Sequence, residues 1–552
     1  MRGAPFVFAA VVTLFPLPVT AAPAQNPSWT VSGDRANAKL GAAVAFAGDV
    51  NGDGFDDILV GSPSDAIDTV GGGRVYLYLG SASGPAVTAT WSYDSVQAGA
   101  MLGSAVASAG DLNGDGYGDV VIGAPAYDAP ASNSGRAFVF YGSSTGLPAA
   151  PSIVLDGPTF NARLGASVAG VGDYNGDGFD DLGIMAPGFT QNGRTGRGFL
   201  YFGSVAGIPG TPSGSLLLPD TTPEPLTGPI IGAGDANADG FADIVVGGSG
   251  GFYMYPGWNP GGQGGLSPFP RIQSSQAGDH FGEAMAPAGD IDGDGYDDIL
   301  VGAPLHTGGL PGLQGEGAVY LFRGTNPTFS AVPDWTALGG GQGASLGLSV
   351  AAGDIDGDGR MDVIAGAPKS LNAPGSYGRA AVYFGTGQAP ARSAWWTAKH
   401  GTGDVQFAGA VAGGGDVNGD GLTDVLVGAP GSDDAFTDGG AAFLYLGAPS
   451  RGPVVSTGND QVLECTSPQG ADATLHGSVT PGPGGAVETV EWFENFGTPG
   501  ERLLGTGADL DLPLSLGSRL ATLRAADAEG NAGFDDMLVR VRDTVPPVVT
   551  VG

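Results

Sequence analysis

The chain has 552 residues, with 56 Asp and Glu against 21 Lys and Arg, a formal net charge of −35. That balance repels phosphate backbones and anionic membrane surfaces, which excludes nucleic acid as a partner class and makes cations the natural ligands. Glycine and proline (103 and 41 residues) approach low-complexity levels, yet 42% of residues are hydrophobic and the glycines recur at a fixed period, so the chain folds as a repeat array.

In chain order, residues 1–24 read as an export signal. Arg2 supplies the positive charge, Phe6 to Leu17 the apolar stretch, and small residues offer cleavage after Ala21 or Ala24. The stretch is too short for a bilayer and no later one reaches about 18 apolar residues, so no membrane span is predicted. The expected location is extracellular or at the cell surface. The lone Cys465 leaves stability to packing and metal rather than to an internal disulfide.

Seven acidic nonapeptides then run through residues 49 to 424, from DVNGDGFDD at Asp49 to DVNGDGLTD at Asp416. Each is preceded by a short apolar run (LGAAVAFAGD at 40–49) and followed by another ending in Gly-Ala-Pro or a variant (DVVIGAP, closing at Pro125). A third run follows, such as GRVYLYLG at 73–80 or GAAFLYLG at 440–447. A less regular fourth carries Trp91, Ile153–Leu155, Leu216–Leu218, Trp335 or Trp395–Trp396. These short β-branched and aromatic runs, bounded by Gly, Pro and Asp, predict strands, and no stretch has helical period. Four strands per unit in seven units predict an all-β, seven-bladed β-propeller. Nothing Trp-bearing follows the seventh GAAFLYLG, so Trp29 in SWTVSG is expected to complete the last blade and close the ring.

Calcium takes six to eight oxygen ligands, and alternate residues of a tight glycine-bearing loop can aim oxygens at one point. The pattern D-x-[ND]-x-D-G-x-x-D offers side-chain oxygens at positions 1, 3, 5 and 9 and a carbonyl at 7. The first three predicted sets are Asp49, Asn51, Asp53, Asp57 with Phe55; Asp111, Asn113, Asp115, Asp119 with Tyr117; and Asp173, Asn175, Asp177, Asp181 with Phe179. Next come Asp235, Asn237, Asp239, Asp243 with Phe241, and Asp290, Asp292, Asp294, Asp298 with Tyr296. The last two are Asp354, Asp356, Asp358, Asp362 with Arg360, where only the carbonyl is needed, and Asp416, Asn418, Asp420, Asp424 with Leu422. Flanking strands and Asp at position 9, instead of Glu at 12, exclude an EF-hand. Asx-turns alone would not require four oxygens in every loop. Up to seven structural calcium ions are expected, and the absence of His and Cys from the loops argues against zinc or copper.

These units resemble the FG-GAP repeats of integrin α-subunit propellers and their bacterial relatives over roughly residues 28–448. Leu40-Gly41, Leu102-Gly103, Leu164-Gly165, Phe281-Gly282 and Leu346-Gly347 stand where that family has Phe-Gly, and Gly-Ala-Pro stands at 123–125, 302–304, 366–368 and 428–430. The fourth unit departs, lacking both signatures and carrying Ala238 in place of Gly. The resemblance implies ligand recognition on the face opposite the acidic loops, where connections such as Ser64–Gly72, Ala126–Ser134, Leu305–Glu316 and Gly431–Gly439 emerge.

Beyond a linker at 449–459 the period breaks. Residues 460–544 carry alternating runs that resemble an immunoglobulin-like β-sandwich, above all VEWFEN at 490–495, and 545–552 read as a linker or the start of a further module. No nucleophile elbow, HExxH or phosphate loop occurs, and His280, His306, His400 and His476 are scattered, so no enzyme is predicted. The expected function is an exported adhesion or interaction scaffold with a protein or glycan ligand. A carbohydrate-binding or carbohydrate-active protein and a structural surface-layer component are the alternatives.

Overall fold

The computed structural model describes residues 26–543 apart from 66–70, 217–224, 249, 258–266, 309–313, 370–377, 387–388, 392–393, 401–405, 450–451, 458–460, 468–469, 483–484, 495–501 and 529–531. The predicted export signal lies outside the described residues. Two compact units divide the chain, Pro23–Pro449 and Ser450–Gly552.

The described residues of the first unit form seven four-stranded antiparallel sheets and no helix. In blade 1 the strands are Ala43–Gly48, Asp57–Ser62, Arg74–Tyr78 and Trp91–Asp94, paired in sequence order. Blades 2 to 6 repeat this order. Blade 7 pairs Ala410–Gly415, Asp424–Ala429 and Ala441–Tyr445, and its fourth strand is Trp29–Ser32 from the chain start. The first strand of each blade lies beside that of the next, and those of blades 7 and 1 are neighbours, so the seven first strands close a circle.

Sheets stacked face to face explain the second strands. Asp57–Ser62 and its counterparts at Asp119–Ala124, Asp298–Ala303, Asp362–Ala367 and Asp424–Ala429 are buried at every position. Both faces of such a strand meet a neighbouring blade, so its apolar residues run on without alternation. Between blades 1 and 2, Leu59, Val75 and Leu77 pack against Val120, Ile122, Phe138 and Phe140. Blade 4 is thinner, with a first strand of three residues (Ile230–Gly232) and a fourth of two (Ile272–Gln273).

The second unit holds a five-stranded sheet in the order Gln461–Glu464, Ala532–Arg542, Gly517–Asp527, Val487–Glu494, Arg502–Thr506, the first pair parallel. Two strand pairs, Ala471–Leu475 with Leu510–Leu514 and Val454–Ser456 with Ser478–Thr480, complete it around the fully buried Trp492.

Trp29 fastens the ring. Its ring stands edge-on to Tyr78 of blade 1 with centroids 4.9 Å apart, and its indole N–H donates to the Ala86 carbonyl at 3.0 Å. Trp91 repeats the indole device on the next blade, donating to the Pro148 carbonyl at 2.9 Å. Truncating a buried aromatic of this size costs about 3–5 kcal/mol. Trp29→Ala is therefore expected to lower the midpoint of denaturant unfolding, whereas Trp91→Ala, at a junction the chain already links covalently, is expected to cost less. Equal losses would show that closure adds nothing special.

Candidate metal centre

Each acidic loop joins a first strand to a second, so all seven gather at one end of the ring. In loop 1 the carboxylate of Asp49 organises the turn: Oδ1 accepts the N–H groups of Gly52 (2.6 Å) and Asp53 (3.1 Å), and Oδ2 that of Gly54 (2.8 Å). Asn51 Nδ2 donates to Asp53 Oδ2 at 2.9 Å, and Asp53 Oδ1 accepts the Phe55 N–H. Loops 2, 3 and 7 reproduce this network.

The position-9 aspartate has a second role that its motif does not reveal. Asp57 opens the second strand, is fully buried, and accepts the Val50 N–H on Oδ2 (3.1 Å) and the Gly80 N–H on Oδ1 (2.9 Å). Val50 belongs to the loop and Gly80 follows the third strand, so one carboxylate holds three consecutive strands in place. All seven blades do this, through Asp57, Asp119, Asp181, Asp243, Asp298, Asp362 and Asp424.

Neighbouring loops are also coupled. The Tyr117 ring lies over Gly52 of the preceding loop, where an added Cβ would stand 2.6 Å from it, and Gly52 has φ of +75°. Phe55, Phe179 and Phe241 lie over Gly419, Gly114 and Gly176 in the same way. Where position 8 is Asp, as at Asp56, Asp180 and Asp297, its carboxylate accepts the position-1 N–H of the preceding loop at 2.8 Å.

The donors suit a hard divalent cation, being oxygens throughout. Carboxylate oxygens of Asp290, Asp292 and Asp294 lie within 4.8 Å of one another, as do those of Asp354, Asp356 and Asp362. In loop 4, Asn237 turns its Nδ2 to Asp243 Oδ1 (3.3 Å) and leaves Oδ1 buried with no hydrogen-bond partner. Ala238 there sits at φ 55°, strained for a residue with a Cβ. That orphaned oxygen is one a bound cation would satisfy.

Charge bookkeeping identifies two residues that motif reading missed as charge partners. Five loops hold three Asp and one Asn at the donor positions, whereas loops 5 and 6 hold four Asp. In loop 5 an arginine touches the extra acid, Arg323 Nη1 reaching Asp292 Oδ2 at 2.7 Å; in loop 6 the extra acid is Asp356, and Arg360 Nη1 reaches its neighbour Asp358 Oδ2 at 3.3 Å. At the four donor positions, with the adjoining arginine counted in loops 5 and 6, every loop thus carries the same net side-chain charge of −3. Arg323 lies 31 residues from Asp292, so only the folded register brings it there.

Burial pushes the carboxyls of Asp57, Asp119, Asp181, Asp243, Asp298 and Asp424 up to about 7, outweighing their backbone N–H donors, with loop carboxylates adding to the rise. Asp362 is likewise raised well above the usual carboxylate range, first by burial and then by Asp356. A folded value above the unfolded 3.8 means the folded chain binds the proton more tightly. Metal-free protein in chelator is accordingly expected to lose stability as pH rises from about 4 through about 7, read as a falling thermal midpoint. A flat or rising midpoint would contradict this. Arg323→Ala removes the compensating charge of loop 5. It is expected to destabilise the metal-free chain by roughly 1 kcal/mol, the arginine being part-exposed, and the metal-loaded chain by less.

At the opposite end of the ring a cavity of about 1100 Å³ is lined by the starts of the first strands, among them Val44, Val106, Val168, Met285, Val350 and Val411. The sequence-predicted connections on this face emerge here, although 66–70 and 309–313 within them lie outside the described residues.

Comparison with known proteins agrees with this architecture. The FG-GAP repeat profile matches residues 40–78, 102–140, 164–202, 281–322 and 407–445, and the FG-GAP-like repeat profile matches 235–301 and 310–365. Integrin alpha-IIb of Mus musculus is 39% identical over 174 residues, which is 30% of this chain and 16% of that protein. Integrin alpha-V of Gallus gallus is 31% identical over 217 residues, 38% of this chain and 20% of that one. Phosphatidylinositol-glycan-specific phospholipase D of Bos taurus is 38% identical over 157 residues, 26% of this chain and 18% of that one. The matches thus span a fifth or less of these relatives. With the two repeat profiles together covering just over half of its length, the chain belongs to the FG-GAP repeat family and carries a β-propeller of the integrin-α N-terminal kind.

Proposed function

We propose that this protein is an exported interaction scaffold of the adhesion type, non-enzymatic, whose acidic loops bind calcium as structural ions. The observation that carries the reading is the seven-fold repetition of an oxygen-only loop at one end of the ring, each loop knitting three strands of its blade. Calcium bound at positions 1, 3, 5 and 9 and the position-7 carbonyl would neutralise carboxylates that the fold crowds together. The loop end then serves architecture, and the opposite end, with its cavity and irregular connections, receives the protein ligand. Similarity to integrins supports that assignment.

Export follows from the N-terminal sequence pattern, and no helix among the described residues is long and apolar enough to cross a membrane. We read residues 28–448 as the propeller, with residues 460–544 as an immunoglobulin-like spacer beyond the 449–459 linker.

The test is thermal unfolding of the mature chain in EGTA and in calcium, with metal counted by elemental analysis. Close to seven ions and a large calcium-dependent rise in midpoint are expected, together with reversal of the metal-free pH trend. No bound calcium and no shift would reduce the loops to turns. Turnover of a polysaccharide or a phospholipid would overturn the non-enzymatic reading.

A further inference from the structure

We propose that Arg323 sets the calcium affinity of loop 5 by competing for Asp292, an inference that rests on the reading of the acidic loops as calcium sites. The argument starts from one position common to all blades, the residue before the glycine whose N–H meets the position-9 carboxylate. It is Leu79, Tyr141, Phe202, Pro256, Phe384 or Leu446 in six blades and Arg323 in blade 5. Position 3 of the acidic loop changes in the same blade, from the Asn of loops 1 to 4 and 7 to Asp292. Loop 6 shares that second change, as Asp356, but has Phe384 where blade 5 has its arginine.

Arg323 follows the third strand of its blade, Ala318–Phe322, and its Nη1 lies 2.7 Å from Asp292 Oδ2. The Asp292 side chain is only 8% exposed, so little water screens the pair. Its carboxylate also converges with those of Asp290 and Asp294, within 4.8 Å of one another. A guanidinium therefore already stands as a cation on one of the loop's donor oxygens. A divalent ion held by the same carboxylate sets two positive centres against each other where screening is weak, so each weakens the hold of the other. A second acid is within reach of the displaced guanidinium: Asp334 Oδ1 lies 4.0 Å from Arg323 Nε. Asp334 immediately precedes the fourth strand, Trp335–Leu338, and its Oδ2 accepts the Ser330 hydroxyl at 2.7 Å. The Ser330 N–H in turn donates to the Arg323 carbonyl at 2.9 Å, which holds the two ends of this connection together. Arg323 is thus shared between a metal-loop acid and an acid on the outer part of the blade. Filling loop 5 moves its charge toward Asp334, and removing Asp334 leaves it committed to Asp292.

The test is hydrogen exchange of the full chain at buffered free calcium, read on peptides covering residues 290–298 and, for reference, 49–57. In the parent both loops are expected to gain protection as calcium rises. Arg323→Gln should lower the calcium midpoint of loop 5 by about threefold or more, the arginine being part-exposed, and leave that of loop 1 in place. Asp334→Asn, which touches no donor position, should shift loop 5 the other way, to higher calcium. If loop 1 responds to calcium while Arg323→Gln leaves the loop 5 midpoint unchanged or raises it, the proposal fails by itself. It fails equally if both variants move loop 5 in the same direction, the mark of a merely structural role. Absence of calcium protection in every loop would overturn the calcium reading and this inference with it.

Discussion

Everything at the loop end of this ring hangs on a buried carboxylate that accepts two backbone N–H groups. Asp57 and its six counterparts each join the start of a loop to the end of a third strand. A buried carboxylate is costly without compensation, and two N–H donors do not fully supply it, which is why burial drives six of these groups to about 7 and raises Asp362 as well in the metal-free chain. A cation beside the carboxylate changes the sign of that balance. Metal binding and the internal order of a blade then become one equilibrium, since the oxygen positions that would hold the ion also hold the strands.

Coupling continues from blade to blade. Phe55, Tyr117, Phe179 and Phe241 at position 7 each need the glycine they cover in the preceding loop, and each position-8 aspartate needs the N–H at that loop's first residue. Repeat arrays of this kind draw stability from nearest-neighbour contacts. A linear array would leave two weak ends, but here the chain start supplies the last strand of blade 7, and Trp29 reaches across to Tyr78 and Ala86 of blade 1. The weakest link falls in blade 4, where short strands, the strained Ala238 and the inward-turned Asn237 coincide.

Much of this was legible in the residues because the controlling signals are local. A nine-residue loop declares its oxygens, a strand buried on both faces declares itself by uninterrupted apolar character, and a Trp-bearing segment missing after blade 7 but present at Trp29 points to closure. What stayed hidden depends on pairing. Gly80 is an ordinary glycine until the register sets its N–H against Asp57, 23 residues away. Arg323 is an isolated cation until it meets Asp292. Charge pairings of this type exist between strands, so no linear motif records them.

The two ends of the ring are consequently under different constraints. At the loop end the position-1 carboxylate is committed to the turn, and the four donor positions carry the same −3 in all seven loops once the arginines beside loops 5 and 6 are counted. At the other end a single register position carries Asp94, Asp156, Leu338, Lys399 or Ser32, according to the blade, on an unchanged backbone. Chemistry that varies on a fixed frame is what a recognition surface requires, because side chains can change there without disturbing the strands beneath. For the proposed scaffold, this places selectivity in the connections around the cavity and stiffness in the loops behind it.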